Sequence, residues 1–467
     1  MDIIKNAPII KFLTDKDFKT RIIKLAIVLV FMCLGFISDL CVYISFAFCA
    51  TFIAFEFSMD SILWVVLMAI NTQYGITSIT LIVMWEMVAI LLIKFIIDLK
   101  SKRVNYKNWR FKTICLLFLT LCLLTLLPFG QVYKFSLQLR AFSLFAVSVM
   151  GLLYVKEVNF KQFFILIAVS VVVLSGCFYV FELIDLVSCG YKAPYSQGLV
   201  NRFSVFSADP NFTGAILICA LACWFIAYKK KFINRWLYFV ILTMIGIFLL
   251  MTISKATYLI VGLFGLFVIT ENVVIAIKTK NSKNLLELVW YSIVLLIACA
   301  ICWRYLDAMY QRIFNPAMGW WSEGDNQGLS NFTTGRFDLW KIYLKAIFSS
   351  VPVFLFGYGT GSDYIGPGAA HSMPLDYLYR YGFLTTIILV AIFIIATIPY
   401  IKKAKVFNFV PLICITGIFC SIGSVSPKYI YIFVIMFLSL CCNGIESGRN
   451  KIEINNTNKD EVKQNKE

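Results

Sequence analysis

Ten apolar runs, each close to the length of a membrane span, constrain the fold of this chain more than any other feature. A helix needs about 20 apolar residues to cross the hydrocarbon core of a bilayer. Because lipid offers no hydrogen-bond partners, a spanning segment has to satisfy its backbone internally, as a helix does. The runs therefore predict an all-α polytopic integral membrane protein. They lie at about 113–132, 138–155, 162–184, 212–228, 235–252, 256–277, 286–304, 381–400, 407–424 and 427–443.

Two stretches upstream of these runs are each interrupted by polar residues. The stretch 25–57 is broken at Ser38-Asp39 and the stretch 61–98 at 71–75, so each is interpreted as a pair of short helices. This interpretation gives about 14 transmembrane helices, and about 12 is the alternative if the upstream pieces merge or lie in the interface. Composition agrees, since 60% of residues are apolar and 14% are charged, against about a quarter charged in soluble domains.

The positions of lysine and arginine predict the orientation. With the N-terminus inside, 29 of the 42 basic residues fall in inner segments, as the positive-inside rule requires. We therefore predict a cytoplasmic N-terminal segment (1–24), a transmembrane bundle (25–443) and a disordered cytoplasmic tail (444–467), in a bacterial inner membrane. The net charge of +17 is accordingly ascribed to membrane orientation and not to nucleic-acid binding. The inner segments are 1–24, 99–112, 156–161, 229–235, 278–284, 401–405 and 445–467.

This topology leaves two sizeable outer loops, 185–211 and 305–380, with arginines in them or at their edge. The positive-inside rule gives no reason to keep arginines outside. One interpretation is solvated loop charge. The other is a phosphate or pyrophosphate site, because the guanidinium fork matches phosphate oxygens. These arginines are Arg202, Arg304, Arg312, Arg336 and Arg380.

The larger extracytoplasmic loop is predicted to contain an amphipathic helix that begins at Arg336. In the segment RFDLWKIYLKAIFSS, helical spacing gathers apolar side chains on one face and polar side chains on the other. Such a helix can lie along the membrane surface or pack against the bundle, and both alternatives stay open. The apolar face comprises Phe337, Trp340, Leu344, Ile347, Phe348 and Val351, and the opposite face comprises Asp338, Lys341, Lys345 and Ser349.

A glycine-rich turn and the only histidine of the chain follow this helix. Gly357 and Gly359 lie in GYGTGSDYIGPG, where the backbone can approach a ligand closely. His371 directly precedes a predicted helix that has proline in its first turn and continues into the membrane. A helix N-terminus attracts anions and disfavours imidazolium, so His371 is expected to be neutral and able to accept a proton. Within that helix, Asp376 and Arg380 are spaced to form an ion pair.

No metal or other cofactor is predicted. A zinc site needs clustered histidine or cysteine ligands. The chain has one histidine, and nearly all of its 15 cysteines lie inside apolar runs.

The residues around His371 resemble a motif of the O-antigen ligase and polymerase superfamily. His371-Ser372 is followed after nine residues by Gly382 and then by Thr385, similar to the pattern His-[Asn/Ser/Gln]-x9-Gly-x-x-[Gly/Thr/Tyr] of that family. The order of upstream features is also similar, and the resemblance covers roughly residues 195–385. These features are Asn201-Arg202, the segment SADPNFTG at 207–214, Ser254-Lys255, Thr334-Gly335-Arg336 with Trp340, and Gly357-Tyr358-Gly359.

The resemblance implies a membrane glycosyltransferase that acts at the outer face of the inner membrane. Its donor would be a glycan linked to undecaprenyl pyrophosphate. Arginines would hold the pyrophosphate leaving group, without a divalent metal, and the histidine would help to activate the acceptor hydroxyl. The candidate catalytic residues are then His371, Asp376 and Asp209. The candidate substrate-binding residues are Arg336, Arg202, Arg380, Arg312, Gly357, Gly359 and Tyr377.

The leading hypothesis is a polymerase that joins lipid-linked repeat units of an O-antigen or capsular polysaccharide. The alternative within the family is a ligase that transfers the glycan to lipid A core or another acceptor. A flippase or transporter is the alternative of a different class, although the chain shows no clear internal repeat. The expected partners are the lipid-linked donor and acceptor glycans, membrane lipids, a chain-length regulator and a flippase, with no nucleic acid.

Overall fold

In the computed structural model, the described part of the chain is mostly helical. The described residues are 8–71, 77–101, 109–125, 142, 146, 151, 153–188, 190–205, 209–280, 283–314, 335–359, 370–412, 414 and 431–446. The helices are numbered in chain order. They are α1 (Pro8–Thr14), α2 (Phe18–Leu34), α3 (Asp39–Glu56), α4 (Ile62–Asn71), α5 (Thr77–Lys100), α6 (Trp109–Thr125), α7 (Phe160–Leu183), α8 (Pro210–Lys229), α9 (Arg235–Met251), α10 (Lys255–Thr279), α11 (Lys283–Ile301), α12 (Trp303–Met309), α13 (Arg336–Ile347), α14 (Val351–Phe356), α15 (Met373–Ile401) and α16 (Tyr431–Glu446).

Five of the described helices are long and apolar enough to cross a membrane, namely α3, α7, α8, α10 and α15. A sixth candidate is the pair Leu286–Ile301 and Trp303–Arg312, which is bent by 86°. The described part of the chain is thus a helical protein with the apolar helices of a membrane protein. The predicted number of spans stays a prediction, because the runs at 138–155 and 407–424 lie largely outside the described residues.

Several predicted spans agree closely with the helices. Helices α8, α9 and α10 begin and end within two residues of the predicted runs. The predicted break at Ser38-Asp39 is confirmed, since α2 ends at Leu34 and α3 begins at Asp39. The other predicted break, at 71–75, lies almost wholly outside the described residues, as do the segment 1–7 and the tail from 447 onwards.

Helix α8 forms the centre of the bundle. Almost every side chain from Thr213 to Ala227 is buried, and the helix packs against α7, α9 and α10. The indole N–H of Trp224 donates to the carbonyl oxygen of Tyr238 in α9 at 2.9 Å, which satisfies its one polar atom inside the apolar core. Because α8 is packed on all sides, the residues at its N-terminal end are held in a defined position.

A buried ionic network joins the N-terminal helices. Arg21 contacts Glu56 at 2.8 Å and Asp60 at 2.7 Å, and Lys24 contacts Glu56 at 3.3 Å. None of these four residues is more than 5% exposed. The indole N–H of Trp64 also donates to Glu56, at 3.2 Å. Two bases face two acids, so the cost of desolvating each charge is offset by an opposite charge at hydrogen-bond distance.

The predicted outer loop 185–211 contains strands, which a purely α-helical prediction does not include. Strand β1 (Lys192–Tyr195) pairs antiparallel with β2 (Gly198–Asn201). In the turn between them, the backbone N–H of Ser196 donates to the carboxylate of Asp307 at 2.6 Å, and its hydroxyl donates to the same oxygen. Asp307 belongs to α12, so the hairpin is fastened to the segment that follows the 86° bend.

Helix α15 corrects the prediction of one continuous helix that runs into the membrane. Gly382 has φ +72° and ψ 177°, so the helix is broken at that residue. The carbonyl groups released by the break find partners in the chain that follows α14. The backbone N–H of Tyr358 donates to the carbonyl oxygen of Tyr379 at 2.8 Å, and the backbone N–H of Gly359 donates to the carbonyl oxygen of Arg380 at 2.9 Å. A broken apolar helix needs such partners because lipid supplies none.

Helix α13 confirms the predicted amphipathic helix but buries only part of the predicted apolar face, together with Tyr343. Tyr343 and Ile347 are fully buried, and the ring of Tyr343 packs on Tyr379 of α15 at a centroid distance of 5.2 Å. By contrast, Leu344 is 41% exposed and Phe348 is 63% exposed. The helix therefore packs against the bundle through one side and presents apolar side chains outward through another.

Candidate functional site

The site is built at the N-terminal ends of α8 and α10. Asp209 caps α8, since its Oδ1 accepts from the backbone N–H of Asn211 at 2.9 Å and from the Asn211 side-chain amide at 2.8 Å. The Asn211 Oδ1 in turn accepts from the hydroxyl of Ser254 at 2.6 Å. Ser254 caps α10, so this chain of hydrogen bonds joins the N-terminal ends of α8 and α10, where Lys255 is the first residue of α10.

Arg202 joins the β-hairpin to the turn between α9 and α10. Its Nε donates to the carbonyl oxygen of Thr252 and its terminal nitrogen to that of Ile253, both at 3.2 Å. These carbonyls lie at the C-terminal end of α9, where the helix leaves acceptors unsatisfied. Arg202 is 4% exposed, and burial, with repulsion from Arg312, lowers its pKa to about 10. Part of its guanidinium is thus committed to the fold.

Arg312 reaches the site from a π-helical turn, Tyr310–Phe314, which follows α12. Turns of this kind are rare and frequently occur at functional sites. Arg312 interacts electrostatically with Arg202 and with Lys255, so the turn faces the ends of α8 and α10. A small buried apolar cluster beneath the turn fixes its position, and its members are Ala193, Ile253 and Ala308.

Arg336, the first residue of α13, completes the set of basic residues. It interacts electrostatically with Lys255, with Arg312 and with Asp209. We define the cationic cluster as Arg202, Lys255, Arg312 and Arg336. The carboxylate of Asp209 interacts electrostatically with all three arginines of the cluster and also with His371.

The electrostatics of the cationic cluster favour an anionic ligand. Lys255, Arg312 and Arg336 are each partly buried, and burial lowers the pKa of Arg336 while Asp209 opposes that shift. Four formal positive charges and one carboxylate thus lie near one another in a place where solvent screening is reduced. Like charges held together at low dielectric repel one another, and a bound anion would relieve that repulsion.

His371 lies next to the cationic cluster. Its backbone is in the left-handed region, with φ +48°. Burial is the main cause that lowers the pKa of His371 below 6.5, and the positive charge of Arg336 adds to it, whereas Asp209 opposes it. The imidazole is therefore neutral at pH 7 and able to accept a proton. The expected lowering of the pKa of His371 agrees in direction, but its causes are burial and Arg336, in place of the expected helix N-terminus.

The predicted glycines form a backbone junction with the broken helix. A Cβ atom added to Gly357 would lie 2.6 Å from the carbonyl carbon and oxygen of Arg380 and from the nitrogen of Gly382. Gly357 also has φ +77°, where a side chain is strained. The backbone N–H of Gly359 donates to the carbonyl oxygen of Arg380. The close approach that these glycines permit is therefore to α15.

The remaining candidates are engaged elsewhere in α15. Asp376 accepts from Arg380 at 2.9 Å and is 1% exposed, which confirms the predicted pairing. Tyr377 is buried on the side that faces α6, where its ring lies 5.4 Å from that of Tyr381. The described contacts thus bring His371, Asp209, Arg336, Arg312 and Arg202 together. They place Asp376, Arg380 and Tyr377 in the packing of the helix.

Two residues of the site, Lys255 and Trp340, were noted in the sequence as features of the resemblance but are not among the candidate catalytic or substrate-binding residues. Lys255 joins the cationic cluster, and Trp340 donates its indole N–H to the carbonyl oxygen of Ala370 at 2.8 Å, directly before His371. Lys255 lies between two apolar runs at the end predicted to be outside. A lysine in such a turn departs from the positive-inside rule, and that departure is the signal that could have identified it.

Among the described residues, no group of three or more His, Cys, Asp or Glu side chains could hold a metal ion. No protein-family model matches the chain, and comparison with curated proteins and with solved structures gives no match. The fold and the site together define a helical protein with membrane-spanning character and a partly buried cationic cluster beside one neutral histidine.

Proposed function

We propose that this protein is a glycosyltransferase that joins lipid-linked oligosaccharide repeat units into an O-antigen or capsular polysaccharide. The donor is a repeat unit carried on undecaprenyl pyrophosphate, and the acceptor is a sugar of a second lipid-linked unit. The single observation that carries the proposal is the cationic cluster beside the neutral imidazole of His371.

The cationic cluster suits a pyrophosphate leaving group. In the transfer, the bond between the anomeric carbon and the pyrophosphate oxygen breaks, and a bond from the acceptor oxygen to that carbon forms. Negative charge develops on the departing pyrophosphate. Preorganised cations in a partly buried site stabilise such charge without the cost of reorganising solvent. The guanidinium groups of Arg312 and Arg336 also match phosphate oxygens in geometry.

His371 suits the other half of the reaction. The acceptor hydroxyl loses its proton as it attacks, and a neutral imidazole can take that proton and release it to water afterwards. His371 lies within electrostatic reach of Arg336, so a proton acceptor is next to the place proposed for the leaving group.

The location of the site also suits a lipid-linked substrate. The site lies at the ends of two apolar helices, α8 and α10, where a pyrophosphate head group can be bound while its hydrocarbon chain stays in the bilayer. The exposed Leu344 and Phe348 of α13 give the same region an apolar surface. Placement at the outer face follows from the predicted orientation.

Reconstitution tests the proposal. The full chain, in lipid nanodiscs, is supplied with the undecaprenyl-pyrophosphate-linked repeat unit isolated from the organism that encodes it. We expect a ladder of glycan lengths together with free undecaprenyl pyrophosphate, and neither from a His371→Ala variant. A single product that forms only when lipid A core is added would identify the ligase alternative. No glycan transfer to either acceptor would contradict the proposal.

A further inference from the structure

We infer that Asp209 is a built-in counter-anion of the cationic cluster, which competes with the diphosphate ligand and thereby sets how readily the diphosphate product leaves. The inference rests on the proposed function, since it takes a polyprenyl diphosphate as the ligand. It assigns Asp209 a role in charge balance, in contrast to that of a general base.

The carboxylate of Asp209 is fixed in place. Its Oδ1 accepts two hydrogen bonds from Asn211, at 2.9 and 2.8 Å, and Asn211 is itself held by Ser254 at 2.6 Å. Lys255 follows Ser254, and Arg202 is fastened to the neighbouring carbonyl of Ile253. The carboxylate therefore cannot swing away from the cationic cluster when a ligand enters, and it stays as a fixed negative charge.

A fixed carboxylate has opposite effects on the empty and the occupied site. In the empty site it offsets part of the repulsion among the cations of the cluster, which would otherwise be left close together and partly desolvated. In the occupied site it repels the bound phosphates. An enzyme that stabilises a departing diphosphate also has to release it, and Asp209 weakens the hold of the cluster on that product.

A change of charge without a change of shape isolates this role. Asn is as good a helix N-cap as Asp, so Asp209→Asn keeps the bond to the N–H of Asn211 and removes the negative charge. A matched control exists at the start of α2, where Asp17 caps the helix by accepting from the N–H of Lys19 at 3.1 Å. Asp17→Asn makes the same substitution in the same structural role, away from the site.

The probe is farnesyl diphosphate, with its affinity measured at fixed ionic strength on the purified full chain. We expect Asp209→Asn to bind it about tenfold tighter or more, and Asp17→Asn to bind it as the wild type does. A double variant, Asp209→Asn with Lys255→Gln, restores the net charge and should return the affinity close to the wild-type value. Unchanged or weaker binding by Asp209→Asn, with the fold intact, would overturn the inference.

Kinetics over the first and later turnovers distinguishes a counter-anion role of Asp209 from a role as general base. With lipid-linked repeat units, Asp209→Asn should show a burst, in which the first turnover is faster than those that follow, because release of product limits the later turnovers. Collapse of the first turnover would overturn the inference and make Asp209 a base. If the wild type itself does not bind farnesyl diphosphate, the proposed function fails. If it binds and Asp209→Asn changes nothing, only the counter-anion role fails.

Discussion

The indole N–H of Trp340 donates to the carbonyl oxygen of Ala370 at 2.8 Å, so the residue before His371 is held by α13. Trp340 lies one helical turn after Arg336 on that helix. A single element thus positions both a cation of the cluster and the candidate proton acceptor. The hydrogen bond also restrains the turn in which His371 keeps its positive φ, a conformation that is uncommon for residues other than glycine.

We expect Trp340→Phe to lower kcat by about tenfold or more while the donor KM changes little. Phenylalanine keeps an aromatic ring but has no donor, and a buried carbonyl left without its partner costs about 1–3 kcal/mol, which is enough to displace His371. Arg336 is untouched, so donor binding is retained. Steady-state kinetics on lipid-linked repeat units checks this. Trp303→Phe, on the exposed side of α12, is the control. A wild-type kcat for Trp340→Phe would contradict the expectation.

His371→Asn should abolish most of the activity, by about 10²–10⁴ if the imidazole acts as a general base. Asparagine tolerates the left-handed backbone better than most residues, so this variant separates chemistry from strain, and lipid-linked single repeats should accumulate. His371→Gln tests whether orientation alone suffices. In the wild type, the rate should fall only as the pH drops below the pKa of His371, which lies under 6.5. A rate that is unchanged across that range would argue against a base at this position.

Arg336→Lys should lower kcat/KM by about ten- to a hundredfold although the charge is kept, because lysine cannot make a bidentate contact with phosphate oxygens. Arg304→Lys is the matched control, since Arg304 is exposed and stacks near the ring of Trp303. Arg202→Lys should instead reduce stability, because it loses hydrogen bonds to the carbonyls at the end of α9. An equal kcat/KM for Arg336→Lys and Arg304→Lys would show that Arg336 is only a surface charge.

Gly382→Ala should destabilise the protein by at least about 1 kcal/mol and reduce activity. A methyl group there meets the carbonyl of Leu355 and sits on a backbone with φ +72°. Gly262→Ala is the control, because a Cβ at Gly262 in α10 meets nothing within 4 Å. Thermal unfolding in detergent micelles compares the two, and equal midpoints would show that the break does not depend on glycine.

Glu56→Gln should lower the free energy of unfolding by about 3–5 kcal/mol, the usual effect of breaking a buried ion pair. The change leaves buried Arg21 with its contact to Asp60 and removes the carboxylate that contacts buried Lys24. Asp338→Asn serves as the control, since its pair with Lys341 is exposed and 3.9 Å long and such pairs contribute little. Unfolding of both variants in mixed micelles measures the difference. A stability loss no larger than that of the control would contradict the importance of the network.

The helices could be predicted because their determinants are local. Apolar length fixes the spans, and polar or capping residues such as Ser38, Asn234 and Ser254 mark where helices begin. The amphipathic pattern likewise located α13. It placed Ile347 on the apolar face but missed Tyr343, which carries a hydroxyl and yet is fully buried against Tyr379. That contact depends on α15, which lies far along the chain.

The candidate site could be predicted only in part. The predicted outer position of its arginines is an exception to the positive-inside rule and drew attention to them. Their convergence depends on the chain of hydrogen bonds from Asp209 through Asn211 to Ser254, which no sequence spacing encodes. The break at Gly382 could not be predicted either, because the N–H groups that bond to the carbonyls released by it belong to Tyr358 and Gly359, in a different segment. The sequence pattern alone could not distinguish it from an ordinary glycine in an apolar helix.

The break at Gly382 divides α15 into two helical segments, one on each side of the glycine. The part before Gly382 is tied through its carbonyls to the chain at Tyr358 and Gly359, and through Tyr379 to α13. Directly after Gly382 the ring of Phe383 stacks on Phe354 of α14 at a centroid distance of 4.9 Å, and from Ile388 onwards the helix packs against α6. Spanning helices tilt to match the thickness of the bilayer around them, and such a tilt can be absorbed at a single glycine. We therefore expect the position of His371 to depend little on the thickness of the membrane.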